Sequence, residues 1–208
     1  MHTGLARVAS LAVLAACSAG IASADPVVFS VDSKASHVRI HLGRSGLFQF
    51  MGHEHHIEAP VAEGRVQVTD EDPARSSVAL RFRAAALYVI PGTEPAADVP
   101  KVEERMRGEV LEVSRYPEIV FASTSVRFGS APGAALKLTV AGTLTLKGRS
   151  VPVEVPLDVE RQGESLKAKG EVELKLRDWG IEPPSVGGVV NVSNRFKLEL
   201  EIHARSGP

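Results

Sequence analysis

Between Leu136 and Ile202 the chain repeatedly alternates apolar and polar side chains, and this period of two narrows its possible folds more than any other feature. Leu136, Leu138, Val140, Gly142, Leu144 and Leu146 alternate with Lys137, Thr139, Ala141, Thr143, Thr145 and Lys147. Val151, Val153, Val155, Leu157 and Val159 do the same against Pro152, Glu154, Pro156, Asp158 and Glu160. Leu166, Ala168, Gly170, Val172, Leu174 and Leu176 follow, interleaved with lysines and glutamates, and Phe196, Leu198, Leu200 and Ile202 close the series. Successive side chains of a strand point to opposite faces, so each run is a strand with one face in a core and the other in water.

Turn-forming residues separate the runs: "GSAPGA" at 129–134, "KGRS" at 147–150, "RQGES" at 161–165 and "EPPSVGG" at 182–188. Links this short join antiparallel neighbours. Upstream, Val27 to Val31, Val38-Ile40-Leu42, Val66-Val68, Val78 to Ala84 and Val120 to Phe128 continue the pattern, which makes at least eight strands. Such strands hide their edges by closing into an up-and-down barrel, and a two-sheet sandwich satisfies the same pattern. One segment breaks the period. In "ADVPKVEERMRGEVLEVSRYP", Val102, Met106, Glu109 and Val110 recur at helical spacing, Asp98 is placed to cap the start, and Pro100 falls in the first turn. This predicts a single helix ending before Tyr116-Pro117.

The first 24 residues stand apart from the strands. Arg7 precedes a run of small and apolar residues ending in Ala22-Ser23-Ala24, the pattern of a secretory signal peptide cleaved before Asp25. Leu14-Ala15-Ala16-Cys17 also reads as a lipobox, in which case Cys17 would be lipidated and lead the mature chain. Either route takes the protein out of the cytoplasm: cleavage before Asp25 predicts a periplasmic or secreted protein with one domain over residues 25–208, and lipidation at Cys17 would place it on a membrane surface. Cys17 is the only cysteine, so disulfides, thiolate metal sites and a cysteine nucleophile are excluded from that domain. The 24 Lys and Arg balance 25 Asp and Glu, which argues against a nucleic-acid partner. After the leader no apolar run reaches the roughly 20 residues of a membrane-spanning helix.

Several pieces together resemble one family: "SHVRIHLGRSGLFQFMGHEHHIEA", "YPEIVFASTSV" followed by "VAGTLTLKG", and "LRDWGIEPPSVGGVVNVSNRFKLELEI". They are similar to the YceI-like, polyisoprenoid-binding family over essentially the whole mature chain. The resemblance implies an extended, lipocalin-like antiparallel barrel of about eight strands with one packed helix. It implies a long apolar or amphiphilic ligand of isoprenoid, quinone or fatty-acid type, and neither cofactor nor catalytic residues. Where better-known members carry a Gly-x-Phe element this chain has Gly52-His53-Glu54-His55, which marks a Gly-His-x-His branch.

In a strand restarting after Gly52, His53 and His55 share a face with Ile57 and Ala59, which turns both imidazoles inward. Read as a ligand-binding barrel, the chain would use His53 and His55 at a polar head group and Phe48, Phe50, Met51, Tyr88, Met106 and Trp179 near the mouth. Ala84, Gly142, Leu144, Ala168 and Val172 would lie along the inward face, where small residues leave room for a ligand or admit bulky neighbours. The large side chains equally suit plain packing, Trp179 above all as an end plug. A second reading makes His53 and His55 metal ligands, since residues two apart lie about 6.6 Å apart along a strand. Asp178 or Glu182 would then supply the third ligand, because His37, His41 and His203 fall on the solvent phase. A third reading is a stress or interaction protein whose barrel is filled by its own side chains. No Gly-x-Ser-x-Gly or phosphate-binding glycine loop supports catalysis. The oligomeric state, a dimer included, is not legible.

Overall fold

The fold is that of a computed structural model, which describes residues 25–45, 54–70, 72–129, 136–186 and 190–207. The strands are β1 (Val27–Val31), β2 (His37–Ser45), β3 (His55–Glu58), β4 (Val61–Val68), β5 (Ser77–Arg83), β6 (Tyr88–Val89), β7 (Glu118–Phe128), β8 (Leu136–Leu146), β9 (Arg149–Gln162), β10 (Ser165–Lys175), β11 (Ser185–Val186) and β12 (Val190–Ser206). Their order is β1-β4-β5-β7-β8-β9-β10-β12, and β12 pairs back onto β1. The result is a closed antiparallel barrel of eight staves, which excludes the sandwich.

Three staves are each built from two short strands. β1 and β2 run in succession along β12, with Val31 opposite Ala204 and His37 opposite Glu201. β3 and β4 run back along them, and β5 and β6 along β3 and β4 in turn. At the break between β1 and β2, Asp32 Oδ1 accepts the backbone N–H groups of Lys34 and Ala35 at 2.9 and 3.2 Å. These two bonds hold its carboxyl below the ordinary aspartate value. Ser36, 3% exposed, then replaces a ladder rung: its Oγ donates to the His203 carbonyl and accepts the His203 N–H. The buried backbone of β12 is thereby satisfied where the strand opposite it breaks.

The β8–β9 hairpin turns on two residues with positive φ, Lys147 at 51° and Gly148 at 70°, the geometry that matches the twist of paired strands. Lys147 Nζ also reaches Glu112 Oε1 at 2.6 Å, tying this turn to the segment after the helix and holding the Glu112 carboxyl below its ordinary value. The helix is shorter than its periodicity predicts. α1 covers Val99–Arg105 and continues as a π-type turn over Met106–Val110. Pro100 lies in the first turn as expected, but the Asp98 side chain makes no capping bond; its backbone carbonyl accepts the Val102 N–H instead. Glu103 of α1 and Arg107 of the π-type turn anchor the helical segment to the barrel, with Glu103 Oε1 accepting the Val89 N–H at 3.0 Å and Arg107 donating to the Leu87 carbonyl at 3.0 Å.

Candidate ligand-binding cavity

The alternating runs put their apolar phase inside the ring. Leu138 and Val140 of β8, Val155, Leu157 and Val159 of β9, Ala168 and Val172 of β10, Leu198 and Leu200 of β12, and Ile40 of β2 all face one cavity. Leu157, Leu198 and Leu200 point inward from within their strands and are nevertheless only half-buried. Side chains in that position border empty space, because a filled core would cover them completely. The cavity measures about 460 Å³, and its lining side chains are apolar except for Thr69, Asp70, Ser76 and Arg161.

One end is closed. Met106, Val110 and Leu111 from the helical segment, Leu87, Leu146, and Leu176 and Ile181 beside a 3₁₀ turn over Leu176–Trp179 form its wall. Trp179 is 2% exposed, donates Nε1–H to the Leu144 carbonyl at 2.9 Å and packs at 6.4 Å between ring centroids from Phe196. At the other end lie the described lining residues that are exposed, namely Asp70, Phe128 and Arg161.

The described histidines lie in a ladder of pairwise contacts. His55 shares the face of Ile57, and its Nδ1 is hydrogen-bonded at 2.7 Å to Glu94, whose side chain is only 1% exposed. On the outer face His37 Nδ1 meets Glu58 at 3.0 Å, and His41 Nδ1 meets His56 Nδ1 at 2.9 Å with the rings nearly perpendicular. A bond between two ring nitrogens requires one of them to be bare, so the pair holds at most one shared proton between those atoms. His41 Nε2 also reaches Glu199 at 3.2 Å. Among the described residues no group of three His, Cys, Asp or Glu side chains is arranged to hold a metal ion. Glu182, expected as a possible third ligand, is instead paired with Arg177 at 3.1 Å, and Asp178 is exposed in the 3₁₀ turn.

A family model described as the YceI-like domain matches residues 29–204. The chain belongs to the YceI-like family. Its barrel is similar to the crystal structure of Burkholderia cenocepacia BcnA, at 18% identity and a TM-score of 0.64, covering 83% of this chain and 98% of that one. It is also similar to mutants of the Campylobacter jejuni YceI protein. One matches at 15% identity and a TM-score of 0.51, covering 72% of this chain and 85% of that one. Another matches at 14% identity and 0.52, covering 69% and 80%. Identities this low carry the fold alone. No curated protein sequence matches the chain.

In this YceI-like barrel the residues expected to meet a ligand divide. Met106, Leu144, Ala168 and Val172 border the cavity. Tyr88 does not: it is 39% exposed on the outer surface. Ala84, buried in a 3₁₀ turn, and Trp179, behind the closed end, also lie outside the lining. His55 is held to Glu94 and is not part of the wall. Gly142 leaves no room for a ligand, because a side-chain carbon there would meet the Phe121 ring and the Ala122 carbonyl oxygen, each at 2.6 Å. His53, Phe48, Phe50, Met51 and the leader over residues 1–24 lie outside the described residues. The strand reading missed Arg161. Its signal was present, since Arg161 is in phase with the inward set Val153, Val155, Leu157 and Val159.

Proposed function

We propose that this YceI-like protein is a periplasmic or secreted binding protein for an apolar or amphiphilic chain, acting as a carrier or reservoir without chemistry of its own. The observation that supports this reading is the apolar cavity of about 460 Å³ inside a closed barrel. That volume falls in the range of small-molecule sites, which run from about 300 to 1,000 Å³. With so few polar groups in the wall, affinity would come from desolvation, at about 25 cal/mol per Å² of apolar surface removed from water. An isoprenoid, a quinone tail or a fatty acid presents that surface in a form a narrow tube can enclose. Export, from the signal-peptide pattern of residues 1–24, belongs to the same reading.

The test is displacement of a fluorescent isoprenoid or fatty-acid probe, run with and without a chelator, on wild type and Ala168→Phe. Ala168 is buried and borders the cavity, so a phenyl ring there occupies the void while the strand alternation is preserved. Probe binding lost in Ala168→Phe and indifferent to chelator is the expected result. Elemental analysis of the same protein completes it: near-stoichiometric zinc or copper with no probe bound would reject the reading.

A further inference from the structure

Among the described residues, one ion pair crosses the end of the cavity where the exposed lining residues lie. Asp70 lies just past the end of β4 and Arg161 near the end of β9, and in the ring β1-β4-β5-β7-β8-β9-β10-β12 three staves separate β4 from β9 in either direction. The two side chains therefore come from opposite sides of the mouth, and Arg161 Nη1 donates to Asp70 Oδ1 at 2.5 Å. Between them the guanidinium carbon lies 5.2 Å from the centroid of the Phe29 ring, and Phe29 is fully buried. Arg161 thus lines the cavity with its guanidinium over the Phe29 ring and its side chain partly open to water, as long cationic side chains sit at a boundary between apolar and aqueous surroundings.

Among the described lining residues Arg161 is the single cation and Asp70 the single carboxylate. Their exposures differ: the Arg161 side chain is 34% exposed and that of Asp70 is 59% exposed. The guanidinium is thus the member fixed by packing on Phe29, and the carboxylate is the member that can turn to water. A guanidinium offers five N–H donors in a planar fork that fits carboxylate or phosphate oxygens. Any amphiphile drawn chain-first into the tube leaves its head group at this rim.

We propose that Arg161 anchors the anionic head group, a carboxylate or a phosphate, of an amphiphile whose chain fills the cavity, and that the head group replaces Asp70 on the guanidinium. This rests on the binding reading above and adds the sign of the head group and the direction of entry. Asp70 acts as an internal competitor: it strands no charge in the empty protein, and it weakens every anionic ligand by the cost of displacing it. A neutral head group has no reason to break the pair and gains nothing from Arg161.

The experiment compares palmitic acid, hexadecyl phosphate and hexadecanol, which share one chain, as competitors of a fluorescent alkyl probe. Wild type is expected to bind the two anions about tenfold more tightly than the alcohol, as one charge-assisted contact implies, and the preference should shrink as salt rises. Arg161→Gln should bring the ratio of anion to alcohol affinity down to about one, and Asp70→Asn should raise that ratio above its wild-type value. The tighter of the two anions tells whether the head group is of fatty-acid or alkyl-phosphate type. Equal affinities for anions and alcohol in wild type, or a preference that survives Arg161→Gln, would overturn the anchor and leave the binding reading standing. Should Arg161→Gln fail to fold, Asp70→Asn decides: no gain for the anions overturns the anchor. If none of the three ligands displaces the probe, the binding reading fails and the anchor with it.

Discussion

The carboxylate of Glu201 accepts from Lys167 Nζ at 2.9 Å and lies 3.3 Å from Lys169 Nζ and 3.1 Å from His203 Nε2, all on the outer face of β10 and β12. The Lys167 bond first, then that of His203, pulls its pKa from the ordinary 4.5 down to about 2, while the Lys167 ammonium is pushed up. A carboxyl depressed in the folded state contributes stability that is fully present above its unfolded value and is lost as pH falls through the folded one. The window here runs from about 4.5 down to about 2. Because these side chains are between 30% and 55% exposed, solvent screening holds the network to about 1 kcal/mol. Glu201→Gln should therefore lower the unfolding free energy measured by urea titration at neutral pH by about 1 kcal/mol and converge on wild type as pH approaches 2. A difference that persists undiminished at the acid end would show that the carboxylate charge is not its source.

At the scale of the strand, small residues work in two opposite ways. Phe121 of β7 lies over Gly142 of β8, next to the bulge between Ser123 and Ser125, and Gly170 of β10 lets the Pro156 carbonyl and Leu157 of β9 come close. Both glycines are spaces already taken by a neighbour. Ala168, on the same inward phase of β10 as Gly170, borders empty volume instead. Gly142→Ala should accordingly destabilise by about 1–3 kcal/mol, the usual penalty for overpacking, since one obstacle is backbone and cannot step aside. Ala168→Phe should cost less despite adding far more volume. Urea unfolding of the two variants measures the contrast, and the opposite order would mean that the cavity beside Ala168 is not open in solution.

At the scale of the molecule, the backbone ladder closes on itself, so the ring holds its shape without the interior being filled. A void within a fold is normally destabilising because its lining forfeits dispersion contacts. The closed hydrogen-bonded cage of eight staves carries that cost. A ligand that enters binds only the folded state and so stabilises it: at a hundredfold excess over Kd the gain is about 2.7 kcal/mol. For a chain of this size that corresponds to a rise in Tm of roughly 5–10 °C. Thermal melts of wild type with a long-chain ligand should show this rise, and Ala168→Phe should show none. Equal shifts in both proteins would place the ligand outside the barrel.

The alternation by itself determined the main strands and most of the side chains that face inward, because a period of two admits no other regular assignment, and the short links gave the antiparallel sense; Arg161 was missed although in phase, because "RQGES" reads as a turn and β9 runs on into it. Most of the helix was legible for the same reason, although its π-type turn after Arg105 was not, since the choice between helical hydrogen-bond patterns depends on what Met106 and Leu111 pack against. Closure into a barrel was decided only in three dimensions, by the long β12 bridging to both β1 and β2 on one side and to β10 on the other. So was the difference between Gly142 and Ala168, which are indistinguishable as small residues in phase and separate only once Phe121 occupies one position and nothing occupies the other. The pairing of Asp70 with Arg161 was beyond any local pattern, because residues 91 positions apart meet only when eight staves close and bring opposite sides of one mouth together.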